Sequence, residues 1–167
     1  MTDYYSQTVV RTDIPRSAMT GLEFEVLCQI FSHEAVGEDI YFFAEHGLND
    51  IAYVTAGAAK AFAEADQGIA SALADQVAEA IGILQGGDEQ VEIDVTEIGY
   101  ETIFQDIVRR SALDFIEVEV AWTCTKMRPD GFGGAATLIT ADAIEGMSTS
   151  SWLDEAIARL EPGPGSG

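Results

Sequence analysis

The stretch FIEVEVAWTCTKMRPDGFGGAATLITA, residues 115–141, decides the reading of the fold. In its first half Ile116, Val118, Val120, Trp122 and Cys124 share one parity, while Glu117 and Glu119 take the other. A period of two is that of a strand with one buried face. AATLITA (135–141) is again strand-like, and Pro129-Asp130-Gly131 lies between the two runs. Proline presets φ and glycine accepts positive φ, so the spacing predicts an antiparallel hairpin.

The same glycines raise a second reading. A Walker phosphate loop requires a lysine after its last glycine, and none follows Gly134. A dinucleotide-binding glycine pattern must open a helix, whereas TLIT (137–140) continues as strand. Lys126 and Arg128 nonetheless supply two of only eight basic residues beside Gly131, Gly133 and Gly134. Placed on one side of the strand near backbone N–H groups, they form a candidate anion- or ligand-binding site.

Working outward, YYSQTVVR (4–11) reads as a strand ended by Pro15. TGLEFEVLCQIF (20–31) reads as a helix, with Thr20 and Glu23 as a capping box and Leu22, Val26, Leu27, Ile30 and Phe31 at helical spacing. Two aromatic and β-branched runs within 38–55 flank Gly47-Leu48-Asn49-Asp50 and predict a second hairpin. The alanine-rich segment from Ala56 to Leu84 predicts two helices, roughly 57–66 and 69–84, broken at Gln67-Gly68 and closed by QGGDE (85–89).

QVEIDVTEI (90–98) alternates as a half-buried strand. YETIFQDIVRR (100–110) is amphipathic, with Tyr100, Ile103, Phe104, Ile107 and Val108 on one stripe and Arg109 and Arg110 at the end favoured by the helix dipole. STSSWLDEAIARL (148–160) predicts a closing helix, capped by Ser151, with Trp152, Ala156, Ile157 and Leu160 facing inward. The expected architecture is a single α+β domain over 1–160, built on a largely antiparallel sheet with four to five helices. It would end in a β-hairpin and a closing helix, with 161–167 as a flexible tail.

Acidic residues outnumber basic ones 29 to 8, for a net charge of −21. The acids are spread along the chain, which predicts an acidic surface and disfavours direct binding to nucleic acid or anionic membrane. A basic protein partner is favoured. Glu92 and Asp94, and likewise Glu117 and Glu119, fall on common strand faces. Alternate strand residues lie ~6.6 Å apart, so these rows form a candidate acidic interaction surface able to imitate phosphates spaced ~3.4 Å along one strand. Adaptation to high salt and plain solubility write the same composition.

No apolar run approaches the ~20 residues of a membrane-spanning helix, and the N-terminus lacks a signal-peptide pattern. Cys28 and Cys124 fit no metal or redox spacing and read as reduced core thiols of a cytoplasmic protein. His33 and His46, with carboxylates around them, are the candidate metal ligands, although no H-E-x-x-H pattern occurs. No nucleophile elbow is present, and no cofactor is implied. The reading favoured is therefore a non-catalytic binding or accessory protein. A small-ligand or divalent-metal-binding domain and a homo-oligomer subunit are the alternatives.

Overall fold

A computed structural model describes residues 2–84 and 89–160. Its elements run β1 (Tyr4–Val10), β2 (Ile14–Pro15), α1 (Gly21–Ile30), β3 (Ser32–Val36), β4 (Asp39–Ala44), β5 (Ile51–Thr55), α2 (Ala56–Ala65), α3 (Ala72–Gly82), β6 (Gln90–Asp94), α4 (Tyr100–Arg110), β7 (Ile116–Cys124), β8 (Gly133–Ile139), β9 (Ile144–Ser148) and α5 (Thr149–Leu160). The fold is α+β, with every strand pairing antiparallel.

The 115–141 hairpin forms the middle of the main sheet, as β7 pairs β8 from Ile116↔Ile139 to Trp122↔Gly133. β1 lies on the other side of β7, and β9 continues beyond β8. β4 pairs with β1 and β2 along one edge and with β3 along the other. β3 and β9 thus end the seven-stranded sheet. The alternation on β7 sends Ile116 and Val118 into the core with Ile139 of β8, where α4 packs its Ile103, Phe104 and Ile107. Phe31, Phe42, Tyr100 and Phe104 pack as an aromatic cluster of tilted and edge-to-face rings, with Phe31 and Phe104 centroids 5.8 Å apart.

The hairpin expected over 38–55 does not form. β4 belongs to the main sheet, whereas β5 pairs only with β6 in a separate two-stranded sheet. The turn that does form is Gly37-Glu38, where Gly37 has φ of 65° and joins β3 to β4. SHEAV (32–36) lacks apolar alternation and all five of its residues are exposed, so the pattern carried no strand signal. β6 ends at Asp94 and passes into a single 3₁₀ turn over Val95–Glu97, short of the strand expected to residue 98.

The α1 capping box forms as read. The helix break falls at Gly68, φ 84°, and α3 starts only after Ser71, whose hydroxyl accepts the Ala74 N–H. The proposed closing segment 85–88 and the tail 161–167 lie outside the described residues. The C-terminal hairpin gains a third strand, β9, before the helix. α5 begins at Thr149 and is capped by Ser148: the Ser148 hydroxyl accepts the Ser151 N–H, and the Ser151 hydroxyl accepts the Ser148 N–H. Trp152, Ile157 and Leu160 do not face inward. They are 49%, 53% and 83% exposed, and no residue of α5 is buried.

Not all the acids are on the surface. Glu23 is fully buried, and its carboxylate is bound by Arg110 at the end of α4. Arg110 Nη1 reaches Glu23 Oε2 at 3.1 Å, and the Ser71 hydroxyl donates to the same oxygen at 3.0 Å. Arg110 also donates to the carbonyls of Ala70 and Ala18. Asp106 Oδ2 accepts the Ala72 N–H at 2.8 Å. One polar knot thereby ties α1, the start of α3 and the end of α4. Arg110 serves it through a specific buried partner, not through the helix dipole alone.

Candidate functional site

The glycine turn is built for close packing. A Cβ on Gly131 would stand 2.5 Å from the Cβ of Cys124, and one on Gly134 would stand 2.9 Å from the Val120 carbonyl. One on Gly133 would meet Thr149 Oγ1 and the Trp122 ring. The Gly131 N–H donates to the Arg128 carbonyl, and the Gly134 N–H donates to Thr149 Oγ1. The first amide is therefore engaged within the turn and the second by the start of α5. β7 ends at Cys124, so Lys126 and Arg128 stand in the exposed connection beyond it and not on one side of a strand. Among the described residues they enter no ion pair.

His33 on β3 and His46 after β4 are both exposed, and they line the same surface depression of about 660 Å³ with Cys28 and Glu45. Each histidine is packed by aromatics: His33 against Phe24, ring centroids 6.1 Å apart, and His46 against Tyr5 at 5.3 Å. Among the described residues no three His, Cys, Asp or Glu side chains converge on a common point. Burial, and then the charge of Glu25, push the Cys28 thiol up to about 11, with Arg16 opposing, so the thiol stays protonated at neutral pH. Cys124 is buried against Gly131, and both cysteines are free thiols.

The acidic rows are partly committed. Arg11 lies between Glu117 and Glu119, at 3.7 Å and 3.1 Å. In the small sheet, Glu92 accepts the Tyr53 hydroxyl, and Asp94 caps the turn that follows β6 by accepting the Thr96 N–H.

A different surface emerges from the register. On the side of the main sheet opposite α4, the row Phe43, Val9, Glu119, Ala136, Met147 runs across five strands. Beside it runs the row Glu117, Leu138, Glu145. Val9, Leu138 and Met147 are exposed apolar side chains. α5 leans over one end of this face, where Trp152 and Leu153 with Ala136 and Met147 line an open groove of about 650 Å³. The groove continues into a second depression of about 420 Å³ that adds Arg11, Glu117, Leu138 and Glu145. Apolar and carboxylate side chains alternate across this face, with Leu138 between Glu117 and Glu145. The alternation on β7 held the signal for this face. Its outer parity gives Glu117 and Glu119, but the apolar neighbours come from β8 and β9 and carry no alternation of their own.

Comparison with protein-family models, curated proteins and solved structures finds no match to this chain. Among the described residues no helix is long and apolar enough to cross a membrane.

Proposed function

We infer that the protein is a non-catalytic binding or accessory protein that holds a basic segment of a partner protein on the outer face of its main sheet. The observation that carries this is the groove itself: apolar Ala136, Leu138 and Met147 set among the carboxylates of Glu117, Glu119 and Glu145. Exposed apolar side chains gathered in a groove and flanked by polar residues are a feature of interaction sites. The carboxylates, and a net charge of −21, select Lys and Arg around the apolar anchors. The shape favours a protein segment over imitation of a phosphate backbone, because Arg11 offsets charge between Glu117 and Glu119. Two free thiols accord with a reducing, cytoplasmic setting.

The test is selection from a random displayed peptide library on the immobilised protein at low salt. Peptides alternating apolar residues with Lys or Arg are expected, with binding that weakens as salt rises and is lost in the triple variant Glu117→Gln/Glu119→Gln/Glu145→Gln. Enrichment without basic residues, or full retention by the triple variant, contradicts the reading.

A further inference from the structure

The edge of the main sheet at β9 is the least finished part of the molecule. Nothing among the described residues pairs with the outer side of β9. An unpaired edge presents backbone N–H and C=O groups to any strand that can join it. Leu138, Met147, Trp152, Leu153, Ile157 and Leu160, all within residues 138–160, are exposed large apolar residues. At their exposures they present on the order of 600 Å² of surface. That is at the top of the ~300–600 Å² of the largest patch on a typical monomer, and approaches the ~800 Å² one partner contributes to a standard interface. A 12-residue helix that buries none of its residues is also marginal in water without a cover.

We propose that a second copy of this chain covers that edge, with β9 pairing antiparallel to β9 of the partner copy about a two-fold axis through Gly146. A dyad perpendicular to a sheet must pass through a residue paired with itself, since opposed side chains lie on one face. Centring on Gly146 uses the whole five-residue strand. It sets Glu145 opposite Met147 and Ile144 opposite Ser148. Centring on Glu145 would oppose two carboxylates directly, which is destabilising. The strand contact is short, because the Ser148–Ser151 cap occupies its last N–H. The larger area comes from α5: the dyad puts both helices on the same side of the joined sheet, where their stripes of Trp152, Leu153 and Ile157 meet. The outer faces then form one continuous surface across the dimer.

Charge gives the dimer a signature. Each copy carries −21, and the two Glu145 carboxylates fall on a diagonal ~7–8 Å apart. Repulsion over such distances is screened by salt, so self-association tightens as ionic strength rises. Binding of a basic segment draws on Trp152, Leu153 and Met147 as well, since they line the groove, but it responds to salt with the opposite sign.

The experiment is sedimentation of the full chain from about 1 to about 100 µM, in about 0.05 M and about 0.5 M salt. A dimer that tightens with salt is expected. Leu153→Glu/Ile157→Glu, at exposed positions where the monomer fold is undisturbed, is expected to abolish it. A crosslinking arm is independent of those variants. Gly146→Cys is expected to form an intermolecular disulfide readily, since opposed Cα atoms at ~4.5–5.5 Å suit one. Glu145→Cys, on the diagonal, is expected to crosslink far more slowly. A monomer at the highest concentration in both salts overturns the proposal. So does a dimer indifferent to Leu153→Glu/Ile157→Glu, or equal crosslinking at the two cysteine positions. Failure of the dimer leaves the basic-segment reading to be decided by its own peptide selection.

Discussion

Helices α4 and α5 differ by one residue in length, and both carry an apolar stripe at helical spacing. α4 buries Ile103, Phe104, Ile107 and Val108 against the main sheet, and its final arginine closes on the fully buried Glu23. α5 shows the same pattern in Trp152, Leu153, Ile157 and Leu160 and buries none of them. Periodicity identifies which side of a helix is apolar. Whether that side meets this chain or another is set by what stands opposite, and opposite α5 there is only part of a sheet.

The sharpest way to test the contrast is at the buried end. Arg110→Met leaves Glu23 charged and without its main partner inside the molecule, so unfolding in denaturant should show a loss of about 3–5 kcal/mol. Glu23→Gln in the same background should recover part of the loss, because the charge is then gone. A loss under 1 kcal/mol would mean that the knot is solvated and the two ends of the molecule are more alike than described.

A matched pair comes next. Ile107→Ala removes a fully buried side chain and should cost about 2–5 kcal/mol. Ile157→Ala on α5 should stay within about 0.5 kcal/mol at dilutions where the protein is monomeric. Equal costs would show that α5 is packed within the single chain.

Smaller effects concern Cys28. With its thiol raised to about 11, the thiolate is scarce at neutral pH, while a more basic thiolate is a better nucleophile. Alkylation at pH 8 should run roughly tenfold slower than for an unstructured thiol. Tyr100 is likewise raised by burial and by Glu101. An acid whose folded-state pKa is raised stabilises the fold below its unfolded value and loses that contribution as pH climbs. Stability should therefore decline from pH ~9 toward ~11, and Cys28→Ser should blunt the decline. A flat profile over that range would contradict the burial assigned to both groups.

The sequence made the architecture legible where local chemistry and tertiary packing agree. The β7/β8 hairpin, the Thr20–Glu23 box, the Gly68 break and the α4 stripe each rest on spacing that the fold then uses. It misled where pairing is nonlocal. Two runs flanking Gly47–Asp50 resemble a hairpin, but β5 finds its partner about forty residues on, at β6. β3 and β9 are exposed edge strands without alternation to betray them. The site was less legible still. Lys126 and Arg128 are two of eight basic residues and stand beside three glycines, yet those glycines serve close packing around Cys124 and Trp122. The groove is made of Ala136, Leu138, Met147 and Trp152, which form no sequence motif and matter only because two strands and a helix bring them together.

The most direct test of the central claim, that the α5–β9 edge is an interface left open in the single chain, is amide hydrogen exchange at low and high protein concentration. In dilute protein, α5 and β9 amides should exchange orders of magnitude faster than those of α4, and gain protection as concentration rises while α4 stays unchanged. If α5 is as protected as α4 at the lowest concentration, where the protein is monomeric, that edge is complete in the monomer and the account fails.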